Sequence, residues 1–202
     1  KVNFFIVRSD AQLTKNHRLT GRFIKFTNFS PNNVGGGINT LQRTQDLDDK
    51  SDSLAIQLAS SFGTNVFNEF RYQRAHRKST FLPNQYTPTG PAITITNVAA
   101  FGPATSNNTI SPIETMNQFQ DNLTWTKGDH VIKFGGGLNH IYDFRRNDIG
   151  ATYTFASIAA YVLAKNGGPV PAGTCPANVT VAQQCYTSFA QNLGNADIEY
   201  KS

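Results

Sequence analysis

Hydrophobic and polar residues alternate along residues 117–143, which is the clearest pattern in the chain. The apolar positions share one parity within each half: Phe119, Leu123 and Trp125, then Ile132, Phe134, Leu138 and Tyr142. A period of two is typical of a strand with one apolar and one polar face. Gly128 separates the halves and can take the positive φ that a short turn needs. The pattern predicts a β-hairpin, each arm having about the ten residues that a tilted strand needs to cross a bilayer.

Two earlier stretches repeat this pattern. Residues 2–28 are predicted to form a hairpin around Lys15-Asn16, and residues 52–77 another around Gly63. The regions outside the three hairpins are 29–51, 78–116 and 144–195. The sequence thus predicts an all-β fold, an antiparallel β-meander of about six long strands with long loops. Short turns at one end and long loops at the other are typical of a transmembrane β-barrel, here a partial one.

Three local features carry further expectations. Ile24 and Phe26 lie out of phase with Phe23, so we favour a bulge near residues 21–24, with a strand buried on both faces as the alternative. Residues 151–164 end in a predicted short helix with Ser157 as its N-cap, and residues 92–98 form a short predicted strand. An acidic patch is expected to be a solvated turn rather than a calcium site, because it lacks EF-hand spacing. Its members are Asp46, Asp48, Asp49 and Asp52.

Composition favours β structure and argues against a nucleic-acid partner. Charged residues make up 15% of the chain, against about 25% in soluble domains. The net charge is +5, but the basic residues are scattered rather than gathered on one face, so we expect no nucleic-acid binding. No apolar run is long enough for a transmembrane helix. Both ends of the chain read as strand sequence, so we expect a fragment of a longer protein.

Motifs for catalysis, cofactors and metals are missing from the sequence. It contains no Gly-x-Ser-x-Gly and no His-Glu-x-x-His pattern. His130 and His140 share a parity, but along a strand they would lie about 33 Å apart, too far to bind one metal. We therefore expect no enzyme, no catalytic residue, no cofactor and no metal site. Gly135-Gly136-Gly137 is flanked by strand residues, so it is expected to let the sheet bend or a neighbouring group approach.

Two other sets of residues are candidates for structural roles. Cys175 and Cys185, the two cysteines of the chain, are a candidate disulfide of an oxidising compartment, with unpaired thiols as the alternative. Trp125, Tyr142 and Tyr72 are candidate membrane-interface anchors, because amphipathic rings favour the level of the lipid headgroups. A ligand-stacking role is the alternative for Trp125.

The amino-acid sequence of one hairpin resembles that of a known family. FQDNLTWTKGDHVIKFGGGLNH, residues 119–140, is similar to a barrel hairpin of TonB-dependent outer-membrane receptors, and most similar to the Oar-like branch with carboxypeptidase-regulatory-like domains. Residues 16–28 and 153–164 resemble a further strand and loop of that family. The resemblance implies a bacterial outer-membrane barrel of about 22 strands. It also implies partners: outer-membrane lipid, the remainder of the barrel, a plug domain, a TonB-type energising protein reached through a missing N-terminal part, and an unknown extracellular ligand.

The alternative is a soluble, secreted β-sandwich that acts as a binding module, for example for carbohydrate. The barrel requires one continuous lipid-facing band that contains Leu54, Ile56, Phe119, Leu123, Ile132 and Phe134. A sandwich would instead bury these side chains against a second sheet about 10 Å away. Six strands cannot close a membrane barrel, whose observed minimum is about eight, so ligand uptake or surface binding is expected only of the complete protein.

Overall fold

The computed structural model describes residues 1–33, 35–104, 111–146, 150–191 and 197–202. Parts of the predicted loops, at 105–110, 147–149 and 192–195, and with them part of the predicted bend at 144–150, lie outside the described residues. The described strands are β1 (Val2–Thr14), β2 (His17–Asn33), β3 (Gln45–Phe62), β4 (Val66–Pro83), β5 (Ala92–Ile95), β6 (Ala99–Phe101), β7 (Ile113–Lys127), β8 (His130–Arg146), β9 (Ala151–Phe155), β10 (Ser188–Gln191) and β11 (Asp197–Lys201).

Seven of these strands form one antiparallel sheet in the order β1-β2-β3-β4-β7-β8-β11. Three tight turns join consecutive long strands at the same end of the sheet, and Gly63 and Gly128 adopt φ of +66° and +58° there. Positive φ is what such short connections require, and glycine adopts it without a steric cost. The predicted all-β meander is confirmed, and the sheet stays open in the described part of the chain.

The long strands extend beyond their predicted bounds. β2 continues to Asn33 and β3 starts at Gln45, so most of the predicted loop 29–51 is strand. The acidic patch therefore lies in β3, and the expected solvated turn is wrong. The reason is a cross-strand pairing: the Arg77 guanidinium donates two hydrogen bonds of 3.0 Å to the buried carboxylate of Asp49.

The expected bulge near residues 21–24 is also wrong. β1 and β2 pair without a register shift from Val2 to Gln12, and β2 pairs evenly with β3 over the same stretch. Ile24 and Phe26 therefore point to the face opposite Phe23, where they stand across from Ile6 and Phe4. The alternative, a strand buried on both faces, is not met either: this end of β2 carries half-buried apolar side chains on both faces, and no residue of β2 is buried.

The long connections fold into a second sheet of four short strands in the order β10-β9-β5-β6, hereafter the loop sheet. β5 and β9 pair in parallel, whereas the other two pairs are antiparallel. Helix α1 (Ile158–Asn166) packs on this sheet, and the Ser157 hydroxyl accepts the Ala160 N–H at 3.2 Å. The predicted helix and its N-cap are confirmed. Among the described residues, no helix combines the length and the apolar character needed to cross a membrane.

The hydrophobic core of the described part lies in the loop sheet. Its buried members are Ile95, Phe155, Ala160 and Cys185. The rings of Phe101 and Phe155 both meet Tyr161 of α1 edge-on, at centroid distances of 5.3 and 5.4 Å. By contrast, the seven-stranded sheet leaves many large apolar side chains exposed. The loop sheet thus packs as a small globular unit, while the large sheet does not.

Candidate membrane surface and ligand face

One face of the large sheet carries a continuous apolar band. Directly paired residues of adjacent strands share a face, and the pairing aligns Ile56, Tyr72, Phe119 and Leu138 in one row. The band comprises Leu19, Phe23, Leu54, Ile56, Leu58, Val66, Phe70, Tyr72, Phe119, Leu123, Trp125, Ile132, Phe134 and Leu138. The six residues that the barrel requires on one face all belong to it, which confirms that prediction.

The band is exposed rather than covered by a second sheet. Phe134 and Leu138 are 59% and 66% exposed, and Phe119 is also exposed. The β-sandwich alternative required these side chains to be buried, so that interpretation is wrong for this fold. An exposed apolar surface of this extent marks a membrane or protein contact.

The height of the band fits a bilayer. From Phe62 to Leu54 the chain advances by about 27 Å, or about 20 Å after the usual strand tilt. An outer-membrane barrel has an apolar band about 25 Å tall. Beyond Leu54 the same face turns polar, and Asp52 and Arg74 form an ion pair of 3.6 Å there. The long strands therefore continue past the apolar band on the side of the loops.

The three candidate interface residues lie at different levels. Trp125 lies beside the Gly128 turn, with the Lys127 Nζ 5.6 Å from its ring centroid. Tyr72 lies at the opposite border of the band, where its ring packs 4.8 Å from Phe119 and its hydroxyl donates to the Asn117 Oδ1 at 3.1 Å. These two positions suit anchors at the two borders. Tyr142 stands four residues beyond Leu138, among polar rows.

One polar pair interrupts the apolar band. Asp121 lies between Phe119 and Leu123 on the same face, and the Asn68 Nδ2 donates a 2.9 Å hydrogen bond to its Oδ1. Gly136 is directly opposite Asp121, so no side chain covers the carboxylate from β8. Asn68 belongs to β4 and Asp121 to β7, so this hydrogen bond joins two different hairpins.

The other face of the large sheet is polar, and we call it the polar face. It carries Arg8, Asp10, Arg18, Arg22, Gln57, Glu69, Arg71, Gln73, Gln118, Gln120, Asn122 and Asn139. Side chains of five adjacent strands surround a concavity of about 320 Å³ on this face, with Ala55 at its floor. Successive side chains of each strand point to opposite faces, and this alternation alone separates the polar residues from the apolar ones. The same separation is found in a barrel with a water-filled interior.

The triple glycine belongs to this sheet geometry. A Cβ on Gly135 would lie 2.5 Å from the Asn122 Oδ1, and one on Gly137 would lie 3.1 Å from the Phe119 carbonyl oxygen. A neighbouring side chain thus lies where the Gly135 side chain would be, as the sequence had indicated. No such contact exists at Gly136, where a Cβ would meet nothing within 4 Å.

Arg43 ties the connection between β2 and β3 to the loop sheet, and Asn84, which follows β4, binds that same connection. The half-buried Arg43 guanidinium donates to the carbonyls of Ile93 and Phe101, both at 3.4 Å. Burial lowers the pKa of this guanidinium. The Asn84 Nδ2 donates to the Leu41 carbonyl at 2.8 Å. The acceptors of the Arg43 guanidinium and of the Asn84 Nδ2 lie 40 to 60 positions away, so no local sequence signal predicts these contacts.

A larger cavity, hereafter the mouth cavity, lies where the loop sheet meets the end of the large sheet. Its volume is about 840 Å³, and its lining includes Gln45, Pro83, Pro91, Tyr153 and Phe189. The rings of Tyr153 and Phe189 are 4.7 Å apart. Gln45 is only 1% exposed, and its Oε1 has no hydrogen-bond partner within the described part of the chain. An aromatic wall beside a buried amide can take both the apolar and the polar part of a ligand.

The structure joins Cys175 and Cys185 in a disulfide, with an S–S distance of 1.93 Å. Cys185 is fully buried in the core of the loop sheet, which fixes residues 175–185 to that core. In the described ranges, no group of three or more His, Cys, Asp or Glu side chains has the arrangement of a metal site.

Comparison with known proteins adds one match. A family model described as an outer membrane beta barrel domain matches residues 1–168, which include all three hairpins, β9 and α1. No curated protein and no solved structure matches the chain. The match agrees with the exposed apolar band, the polar face and the short turns at one end.

Proposed function

Because the chain belongs to the outer membrane β-barrel domain family, we propose that it is a barrel segment of a TonB-dependent receptor that takes up or binds a ligand at the cell surface. Membership of this family supports a location in the bacterial outer membrane and association with outer-membrane lipid. Transport or binding, rather than catalysis, is the proposed activity.

The single observation that carries this proposal is the division of the large sheet into two faces. The exposed apolar band suits lipid, and the polar face with its concavity suits a wet interior. The outer strands of the described sheet, β1 and β11, leave both edges available for further strands. A plug domain and a TonB-type energising protein are the partners that the resemblance of residues 119–140 implies.

The mouth cavity is the proposed point of entry for the ligand. It lies on the side of the long connections, which in an outer-membrane barrel face the cell exterior. Tyr153 and Phe189 offer aromatic contact, while Gln191 offers an amide group. Recognition residues are commonly carried by loops that a rigid scaffold positions.

Location is tested by fractionation and gel mobility. The protein should sediment with the outer membrane, and its unheated form should migrate faster than its boiled form, as a folded barrel does. A monodisperse, detergent-free monomer in the soluble fraction would contradict the membrane assignment.

Uptake is tested by comparing spent media. Mass spectrometry of media from the producing strain and a deletion strain should show a solute that only the producing strain depletes, and a protonophore should abolish that depletion. Tyr153→Ala with Phe189→Ala should slow depletion, whereas Tyr86→Ala, an exposed aromatic outside the cavity lining, should not. If the spent media of the two strains contain the same solutes in the same amounts, the receptor role is overturned.

A further inference from the structure

We infer that the concavity on the polar face is a binding subsite for a hydroxylated carboxylate, such as a sugar acid, which passes along the barrel interior. The inference rests on the proposed role in uptake and adds the chemical class of the ligand. The concavity of about 320 Å³ can hold a group the size of one sugar ring. Four side chains of its lining have hydrogen-bonding groups that remain available for a ligand: Arg22, Gln73, Gln118 and Gln120.

Arg22 provides the charge. It lies directly opposite Arg8 in the β1–β2 pair, and two like charges in such a pair destabilise a sheet. The Asp10 carboxylate is already engaged: it accepts from Arg8 at 2.8 Å, from Arg18 at 3.2 Å and from the Thr20 hydroxyl at 2.7 Å. The Arg22 side chain forms no ion pair or hydrogen bond with any described residue, so its guanidinium is free for an anion.

The second carboxylate of this region is also engaged. The Arg71 Nη2 lies 2.5 Å from the Glu69 Oε1, and the Gln57 Nε2 donates to the Glu69 Oε2 at 2.7 Å. The four guanidinium groups of Arg8, Arg18, Arg22 and Arg71 thus face two carboxylates, which leaves an excess of two positive charges. An excess of one sign within a low-dielectric wall concentrates the opposite ion.

Amides complete the subsite. Gln73, Gln118 and Gln120 line the concavity, and none of them hydrogen-bonds another side chain in the described ranges. The small side chain of Ala55, paired with both Arg22 and Gln73, forms the floor and leaves the space above it open. A guanidinium fork binds a carboxylate through two parallel hydrogen bonds, and amides can both donate to and accept from hydroxyls.

The test compares galacturonate with galactose, which share the ring and the hydroxyls and differ in charge. Binding to the complete receptor in detergent micelles is measured by saturation-transfer NMR. We expect galacturonate to bind on the order of tenfold more tightly than galactose, and 0.5 M NaCl to weaken only galacturonate. Arg22→Gln should reduce the preference to less than about threefold, a loss of one charge-assisted contact. Lys25→Gln removes the same charge from the same strand but from the opposite face, outside the lining, and should retain the preference.

Two results would overturn the inference. The first is equal binding of the two sugars by the unaltered protein, which needs no variant and therefore does not depend on variant folding. The second is a combination of two measurements: the unaltered protein does not bind galacturonate, and Arg22→Gln lowers the midpoint of unfolding. That combination would show that a carboxylate of the receptor itself occupies the subsite. Solute depletion by cells tests the receptor role separately, so loss of charge preference and loss of uptake are distinguishable.

Discussion

Leu123→Arg and Thr124→Arg test the assignment of the two faces at adjacent positions of β7. Both side chains are half-buried, and both are distant from the loop sheet. Leu123 points into the apolar band, where it is paired with Asn68 and Phe134, whereas Thr124 points to the polar face opposite Lys133. The same arginine is therefore placed in lipid in one variant and in the barrel interior in the other.

The expected difference follows from the depth of Leu123. It lies two residues from the Trp125 row and four residues from the Phe119 row, which mark the two borders of the band, so it is about a third of the way across the band. An arginine on the lipid face costs about 2–4 kcal/mol at the midplane and about 0–1 kcal/mol near the interfaces, so we expect about 1.5–3 kcal/mol here, roughly 10- to 150-fold in the unfolding equilibrium constant. On the polar face the cost should stay within about 1 kcal/mol, because Thr124→Arg adds only a like-charge pair with Lys133.

The assay is guanidinium unfolding of the barrel protein in phosphatidylcholine vesicles, followed by tryptophan emission. Trp125 is the single tryptophan of this chain and reports on the turn-side border of the band. Equal destabilisation by the two variants would refute the division into a lipid face and an interior face. So would a Leu123→Arg variant as stable as the unaltered protein.

Three further predictions concern the loops and the sheet. Cys175→Ser should destabilise the loop sheet by about 2–3 kcal/mol, because a closed loop is released, and trypsin should then cleave faster after Lys165. Arg43→Ala removes the hydrogen bonds to the β5 and β6 carbonyls, so hydrogen exchange at residues 92–101 should accelerate. Gly136→Ala should stabilise the sheet by about 0.4–1 kcal/mol, since the new Cβ meets open space. Gly135→Ala should destabilise it by about 1 kcal/mol, because the Asn122 amide must move.

Each of these predictions has its own control. The gel mobility of the Cys175→Ser barrel should be unchanged, and a loss of the heat-modifiable form would mean that the disulfide supports the large sheet as well. Faster exchange in β3 and β4 of Arg43→Ala would contradict a local role for Arg43. If Gly135→Ala and Gly136→Ala shift the unfolding midpoint equally, the close approach of Asn122 has no energetic effect.

The hairpins were predictable because their determinants are local. Alternation assigns each side chain to a face, and Gly63 and Gly128 mark the turns, so the pairing of neighbouring strands follows without any distant contact. The band of Leu54, Phe119 and Phe134 was predictable for the same reason. Ser157 could be identified as an N-cap because its hydrogen bond to Ala160 spans only three residues.

The remaining features depend on distant contacts or on changes of environment along a strand. Asp49 appeared loop-like because its partner Arg77 is on another strand, and only the pairing of β3 with β4 explains a buried aspartate. Ile24 appeared out of phase because the face that is polar near Arg22 turns apolar near Phe26. The Arg22 subsite combines residues of five strands, so no short stretch of sequence could display it.

The parallel pairing of β5 with β9 sets the order in which the molecule can assemble. The whole β7–β8 hairpin separates these strands in sequence, so the two can meet only after that hairpin has formed and brought its ends together. Contacts of large sequence separation form late, because the entropy of closing the intervening chain must first be lost. The loop sheet, with the disulfide on its core, is thus expected to be the last part to close. A protein trapped before that step would have its long strands paired while the strands of the loop sheet are still apart.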